Sequence, residues 1–142
     1  MAIYGIGAFF EADDDVSTAF LQQGCACVFW REDEAPPAHS ILRHMRAGDI
    51  VYIKTFSPQT GLTIKAVGLV TVGGVREYAD VGGHLGWGVP VIWAWTGNET
   101  VGRLDDKWPV RTVTLYEEQH PKVHTVVLEL LRGQITTTLS AG

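Results

Sequence analysis

"GDIVYIKTFSPQTGLTIKAVGLV", residues 48–70, decides the fold. Two β-branched and aromatic runs, 48–56 and 62–70, flank residues 57–61, where Pro58 and Gly61 supply turn chemistry. The stretch reads as strand, turn, strand. A five-residue loop sets Phe56 opposite Leu62 and puts Lys54 and Lys65 on opposite faces of the pair. A four-residue loop would set the two lysines directly across from each other, where like charges repel, so the first register is preferred. In that register Lys54 shares a face with Tyr52 and Phe56, and Lys65 with Val67 and Leu69. A lysine between two aromatics can hold a phosphate while the rings pack a base. It can equally run its aliphatic stem over a half-solvated face.

Upstream, "YGIGAFF" (4–10) reads as a first strand and "DDDVSTAFLQQG" (13–24) as a helix. Aspartates stand at that helix's cap and first turn, Val16, Ala19 and Phe20 form its apolar stripe, and Gly24 stops it. "CACVFW" (25–30) is a strand, "REDEAPP" a loop, and "AHSILRHMRAG" (38–48) a helix burying Ile41, Leu42 and Met45, closed by Gly48. Downstream, the glycine-rich 72–88 reads as an irregular segment covering a site. "VPVIWAW" (89–95) and "PVRTVTLY" (109–116) read as strands. "HPKVHTVVLELLRG" (120–133) reads as a helix ended by Gly133, and the tail 134–142 as an edge strand or a frayed end. The order β-α-β-α-β-β-β-β-α predicts an α+β domain spanning 1–142. It is built on a small, strongly bent, mostly antiparallel sheet or barrel with flanking helices.

Composition narrows the function. A chain of 142 residues with 46% hydrophobic and 19% charged residues can bury a core, and no apolar run approaches the roughly 18 residues of a membrane span. The N-terminal "MAIYGIGAFFEADDD" lacks a basic n-region, so no secretory leader is expected and the cytoplasm is the expected location. Cys25 and Cys27, two apart on one strand, are poorly placed to bridge each other and too few for a cysteine zinc site; they read as buried thiols. The net charge of −5 disfavours broad nucleic-acid binding, but residues 35–76 carry +4. A phosphate or polyanion is expected near that middle third.

Four tryptophans are candidate contacts. Val89, Val91, Trp93 and Trp95 alternate onto one face of the 89–95 strand, either as core or as an aromatic platform for a flat ligand. Trp30, at a strand end, and Trp87, in the glycine-rich segment, are expected to be exposed. There they suit stacking on a nucleobase or contact with a protein. Catalytic signatures are weak. His120 and His124 have an i, i+4 ligand spacing, but the glutamate of the metalloprotease pattern is absent and Pro121 leaves His120 at the helix cap. "GIG" (5–7) lacks the context of a dinucleotide loop, and no pattern nominates a nucleophile. No metal or cofactor is expected.

"MRAGDIVYIKTFSPQTGLTIKAVGLVT" (45–71) resembles the signature stretch of the PUA-like superfamily, which includes EVE, ASCH and YTH domains. A helix ends in Gly48-Asp49, a strand emerges, and the next strand carries Ala66, Gly68 and Val70. "GIGAFF…FLQQGCACVFW" is similar to the N-terminal reader domains of some modification-dependent restriction systems. The resemblance implies a bent barrel gripping one base, often modified and flipped, between aromatic rings. Trp30 and the strand-end group Lys54, Thr55 and Phe56 are the positions it points to. The leading expectation is therefore a non-catalytic module recognising a nucleobase, in nucleic acid or as a free nucleotide. Trp30, Trp87, Trp93 and Trp95 would offer rings, Lys54 a charge and Thr55 a hydrogen bond. The alternatives are a phage-type defence or counter-defence factor, acting by nucleotide sequestration or by protein contact through Asp13–Asp15 and Glu32–Glu34, and a small nucleotide hydrolase.

Overall fold

The computed structural model describes residues 1–11, 13–105 and 110–141, with side chains to Gly133 in the last stretch and Val110's excepted. It is an α+β fold: a curled, half-barrel mixed sheet with helices on both faces. The strands are β1 (Ile3–Gly7), β2 (Cys25–Val28), β3 (Ile50–Ser57), β4 (Gly61–Val70), β5 (Arg76–Val81), β6 (His84–Gly102) and β7 (Leu115–Glu117). The α-helices are α1 (Ser17–Gln23), α2 (Pro36–His44) and α3 (Pro121–Ala141), and a 3-10 turn spans Val110–Thr112. The sheet runs β2-β6-β4-β3-β1-β7, with β5 added to β6. Among the described residues only β1 and β3 pair in parallel, joined by the crossover through α1, β2 and α2.

The curl comes from β6. Its first part lies between β2 and β5, and from Val91 onward it pairs with β4. Alternation along β3 builds a core on each side of the sheet. Val51 and Ile53 point to the side of α1 and α2, with Phe20, Cys27, Leu42 and Val91. Ile50 and Tyr52 point to the side of α3, with Ile64, Val67, Val123 and Val127.

The β3–β4 hairpin has the expected register at its tip, Phe56 opposite Leu62. Further along, Lys54 pairs with Ile64 and Ile53 with Ala66, so Lys65 is the extra residue of a bulge. The Gly48-Asp49 pair has a direct structural role. Gly48 takes φ +90°, and the Asp49 carboxylate accepts the Ala2 N–H at 3.0 Å and the Arg46 N–H at 2.9 Å. One carboxylate thus closes the turn into β3 and anchors the start of β1. Gly68 has no room for a side chain: a Cβ there would lie 2.6 Å from the Ile92 carbonyl oxygen.

Several expected elements change. The helix expected over 13–24 begins only at Ser17, because Asp15 bridges to Phe9 and its carboxylate accepts the Ser17 N–H at 2.9 Å. Gly24 ends it as expected, at φ +67°. The helix expected over 38–48 runs from Pro36 to His44, since prolines fit the first turn, where no N–H is required. The segment 72–88 is not irregular cover. It forms β5 and the start of β6, turned by Gly82 and Gly83, with Asp80 Oδ1 accepting the Gly83 N–H at 2.7 Å. Of the strand expected over 109–116, residue 109 lies outside the described residues, and the rest is a 3-10 turn followed by short β7. Gly133 does not end α3, which continues to Ala141 where an edge strand was one expectation. Among the described residues no helix is long and apolar enough to cross a membrane.

Candidate functional site

Trp93 and Trp95 do not share a face. Gly68 pairs with Trp93 and the adjacent Val67 with Trp95, so Ala94 is bulged and the alternation inverts. Trp93 joins the core on the α1–α2 side, its indole N–H bonded to the Phe20 carbonyl at 3.0 Å, while Trp95 packs on the α3 side. The shared face expected from the sequence, whether core or platform, is replaced by one ring in each core.

Lys54 is also turned inward. It is only 8% exposed, and its ammonium donates to the Arg111 carbonyl at 2.7 Å and lies 5.8 Å from the centre of the Tyr116 ring. Burial, with the Arg111 charge adding to it, pulls its pKa down to about 8. Beside it, Arg111 and Glu118 form a buried ion pair in which Nη2 meets Oε2 at 2.8 Å and Nη1 meets Oε1. The Tyr52 hydroxyl donates to Glu118 and lies 2.9 Å from the Tyr116 hydroxyl. Burial alone would raise the Glu118 pKa, but hydrogen bonds from Arg111, Tyr52 and the His120 N–H hold it below its ordinary value. This network was not expected from the sequence. Its functional reach is indirect: Lys54 ties residue 111, and the Gly7 N–H ties the Thr114 carbonyl at 2.8 Å, so the 111–114 segment is fastened to β3 and β1. Thr55 is half-buried and Phe56 exposed near the hairpin tip.

Two open concavities flank α2. A first cleft of about 270 Å³ lies between its N-terminus and the 113–115 segment, walled by Trp30, Pro37, Ala38, Val113 and Leu115, with Glu34 and Thr114 as its polar side chains. Trp30 is 38% exposed. Glu34 Oε1 accepts the Arg31 N–H at 3.0 Å, which folds the loop and fixes the carboxylate at the rim. Because α2 opens with Pro36-Pro37, Ala38 brings its first free N–H.

A second cleft of about 310 Å³ is lined by Glu32, His39, Arg43, Val75 and Trp87. His39 and Arg43 stand four apart on one side of α2. His39 Nε2 donates to the Trp30 carbonyl at 2.6 Å, which leaves Nδ1 as an acceptor in the neutral ring. The His39 and Trp87 rings lie 6.1 Å apart, and Arg43 pairs with Glu32. Of the residues expected to meet a ligand, the structure thus brings Trp30 and Trp87 to open clefts, while Lys54, Thr55, Phe56, Trp93 and Trp95 line neither. Glu34, His39 and Arg43 were not among the expected contacts. The i, i+4 spacing of His39 and Arg43 was the available signal.

Elsewhere, Cys25 and Cys27 are buried free thiols. His120 caps α3, its Nδ1 accepting the Lys122 N–H at 3.1 Å, and His124 bonds to the Glu118 carbonyl. No protein-family model matches the chain, and a search of the curated proteins returns no match.

Proposed function

We propose that the protein is a PUA/EVE-like binding module that takes a nucleobase into the first cleft, stacked on Trp30. The observation that carries this reading is a half-open indole at the wall of a largely apolar cleft of about 270 Å³, close to the ~300 Å³ lower end of small-ligand sites. Pro37, Ala38, Val113 and Leu115 supply the rest of the apolar lining that a flat ring needs. The fixed Glu34 carboxylate accepts from an exocyclic amino group, as acidic side chains do with cytosine, and it repels phosphate. The ligand is therefore an amino-bearing base rather than uracil or thymine, in a nucleic acid or as a free nucleotide, modified or not. The expected place of action is the cytoplasm.

The test is a titration of nucleosides, nucleotides and single-stranded oligonucleotides, followed by intrinsic tryptophan fluorescence and by calorimetry. Quenching that saturates with amino-bearing bases and is lost in Trp30→Ala is the expected result. No heat and no quenching with any base overturns the reading.

One observation favours a factor that acts by protein contact. Ile92, 63% exposed, pairs with the exposed Leu69 across β6 and β4. A partner whose capture is lost in Ile92→Lys and kept in Trp30→Ala would replace the base-binding reading.

A further inference from the structure

The first cleft offers a carboxylate and no cation, so a nucleotide bound there must place its phosphate elsewhere. We propose that the second cleft is the sugar–phosphate subsite of the same ligand, in which Arg43 leaves Glu32 to pair with the phosphate. The proposal rests on the base-binding reading of the first cleft.

Three observations carry it. The clefts share α2 as their common wall, and Trp30, which lines one, accepts through its carbonyl a hydrogen bond at 2.6 Å from the imidazole that lines the other. Next, the second cleft holds donors and an acceptor of the right kind. Neither the Trp87 indole N–H nor His39 Nδ1, on a ring only 3% exposed, has a protein partner among the described residues, and no fully buried polar side-chain atom there goes unpaired, so each keeps a narrow opening to the cleft. The indole N–H and the planar guanidinium donate to phosphate oxygens, and Nδ1 accepts a hydroxyl hydrogen of the attached sugar. Finally, the Arg43–Glu32 pair is easily exchanged. Its side chains are 50% and 65% exposed, and an exposed ion pair contributes little, whereas a guanidinium–phosphate pair is bidentate and charge-assisted. Glu32 acts as a placeholder, keeping Arg43 extended over the cleft and raising the threshold for anions that bring no base. The location also agrees with the +4 charge of residues 35–76, to which His39, Arg43 and Val75 belong.

The experiment compares a nucleoside with its 5′-monophosphate in wild type, Arg43→Gln and Glu32→Gln, by calorimetry. The phosphate is expected to tighten binding in wild type. Arg43→Gln should remove about tenfold or more of that advantage, and Glu32→Gln should enlarge it by a similar factor. A gain in Glu32→Gln cannot come from misfolding. An advantage that neither substitution alters overturns the proposal. Inorganic phosphate, followed by phosphorus NMR line broadening, tests the subsite without a base: broadening lost in Arg43→Gln supports it even if Trp30→Ala shows that the base sits elsewhere. A short oligonucleotide with internal phosphodiesters separates the two sources of phosphate. Arg43-dependent preference for it marks a strand reader, and preference for the monophosphate marks a free-nucleotide binder.

Discussion

On the α3 side of the sheet, Lys54, Arg111 and Glu118 are charged and almost wholly out of water; on the α2 side, Arg43 and Glu32 are charged and half in it. Both groups sit beside aromatic rings. The first satisfies itself, hydroxyl to carboxylate to guanidinium, and leaves a ligand nothing to bind. The second leaves an indole N–H, an imidazole nitrogen and most of a guanidinium uncommitted. A cation flanked by aromatics is thus a binding feature only where its hydrogen-bonding capacity is unspent.

That contrast makes removal of one partner most costly on the α3 side. Glu118→Ala removes the buried carboxylate that pairs with the Arg111 guanidinium and should destabilise the fold by about 3–5 kcal/mol, read as a lowered urea midpoint. The double variant Arg111→Met/Glu118→Leu should recover a substantial part of it.

Lys54 gives the next largest effect, through pH. Its folded pKa of about 8 lies below the ordinary 10.5, so between these values the unfolded chain holds a proton that the folded one does not. Stability therefore rises with pH across that window, by up to about 3 kcal/mol. The rise is cut short above about pH 10, where unfolded tyrosines ionise while burial keeps Tyr52 and Tyr116 neutral. Denaturant midpoints measured from pH 7 to 11 should show the rise in wild type and its loss in Lys54→Met.

On the α2 side the cost moves from stability to binding. Trp30→Ala should weaken base binding by about 10- to 100-fold, the value of one stacked base, with a small change in melting temperature. The smallest effect is expected at Trp93→Phe. Losing the bond to the Phe20 carbonyl costs about 1 kcal/mol of stability and should leave fluorescence-independent measures of base binding unchanged.

The sequence carried the fold further than the site. Alternation and turn chemistry across 48–70 placed the central hairpin and its tip register, because Pro58 and Gly61 leave few turn geometries. The bulges at Lys65 and Ala94 left no such mark. A single extra residue in a strand looks like any other residue, yet it moved Trp95 to the far face. Trp30 was legible as exposed because strand ends are seldom sealed, whereas Trp87, also expected to be exposed, is half-buried because its segment forms β6 between β2 and β5. Glu34, His39 and Arg43 were not legible, since their meaning comes from a loop and a helix being brought beside residues 113–115 on one side and Val75 and Trp87 on the other, from distant parts of the chain.

The His39–Trp30 hydrogen bond gives the two clefts a common hinge pin. An occupant that drew the imidazole toward Trp87 would loosen the backbone that carries the first indole, and thermodynamic reciprocity would then require the first guest to alter the second's affinity by the same factor. A ligand long enough to reach both would meet a pair of sites that answer to each other, and one too short would feel only half of what the protein can offer.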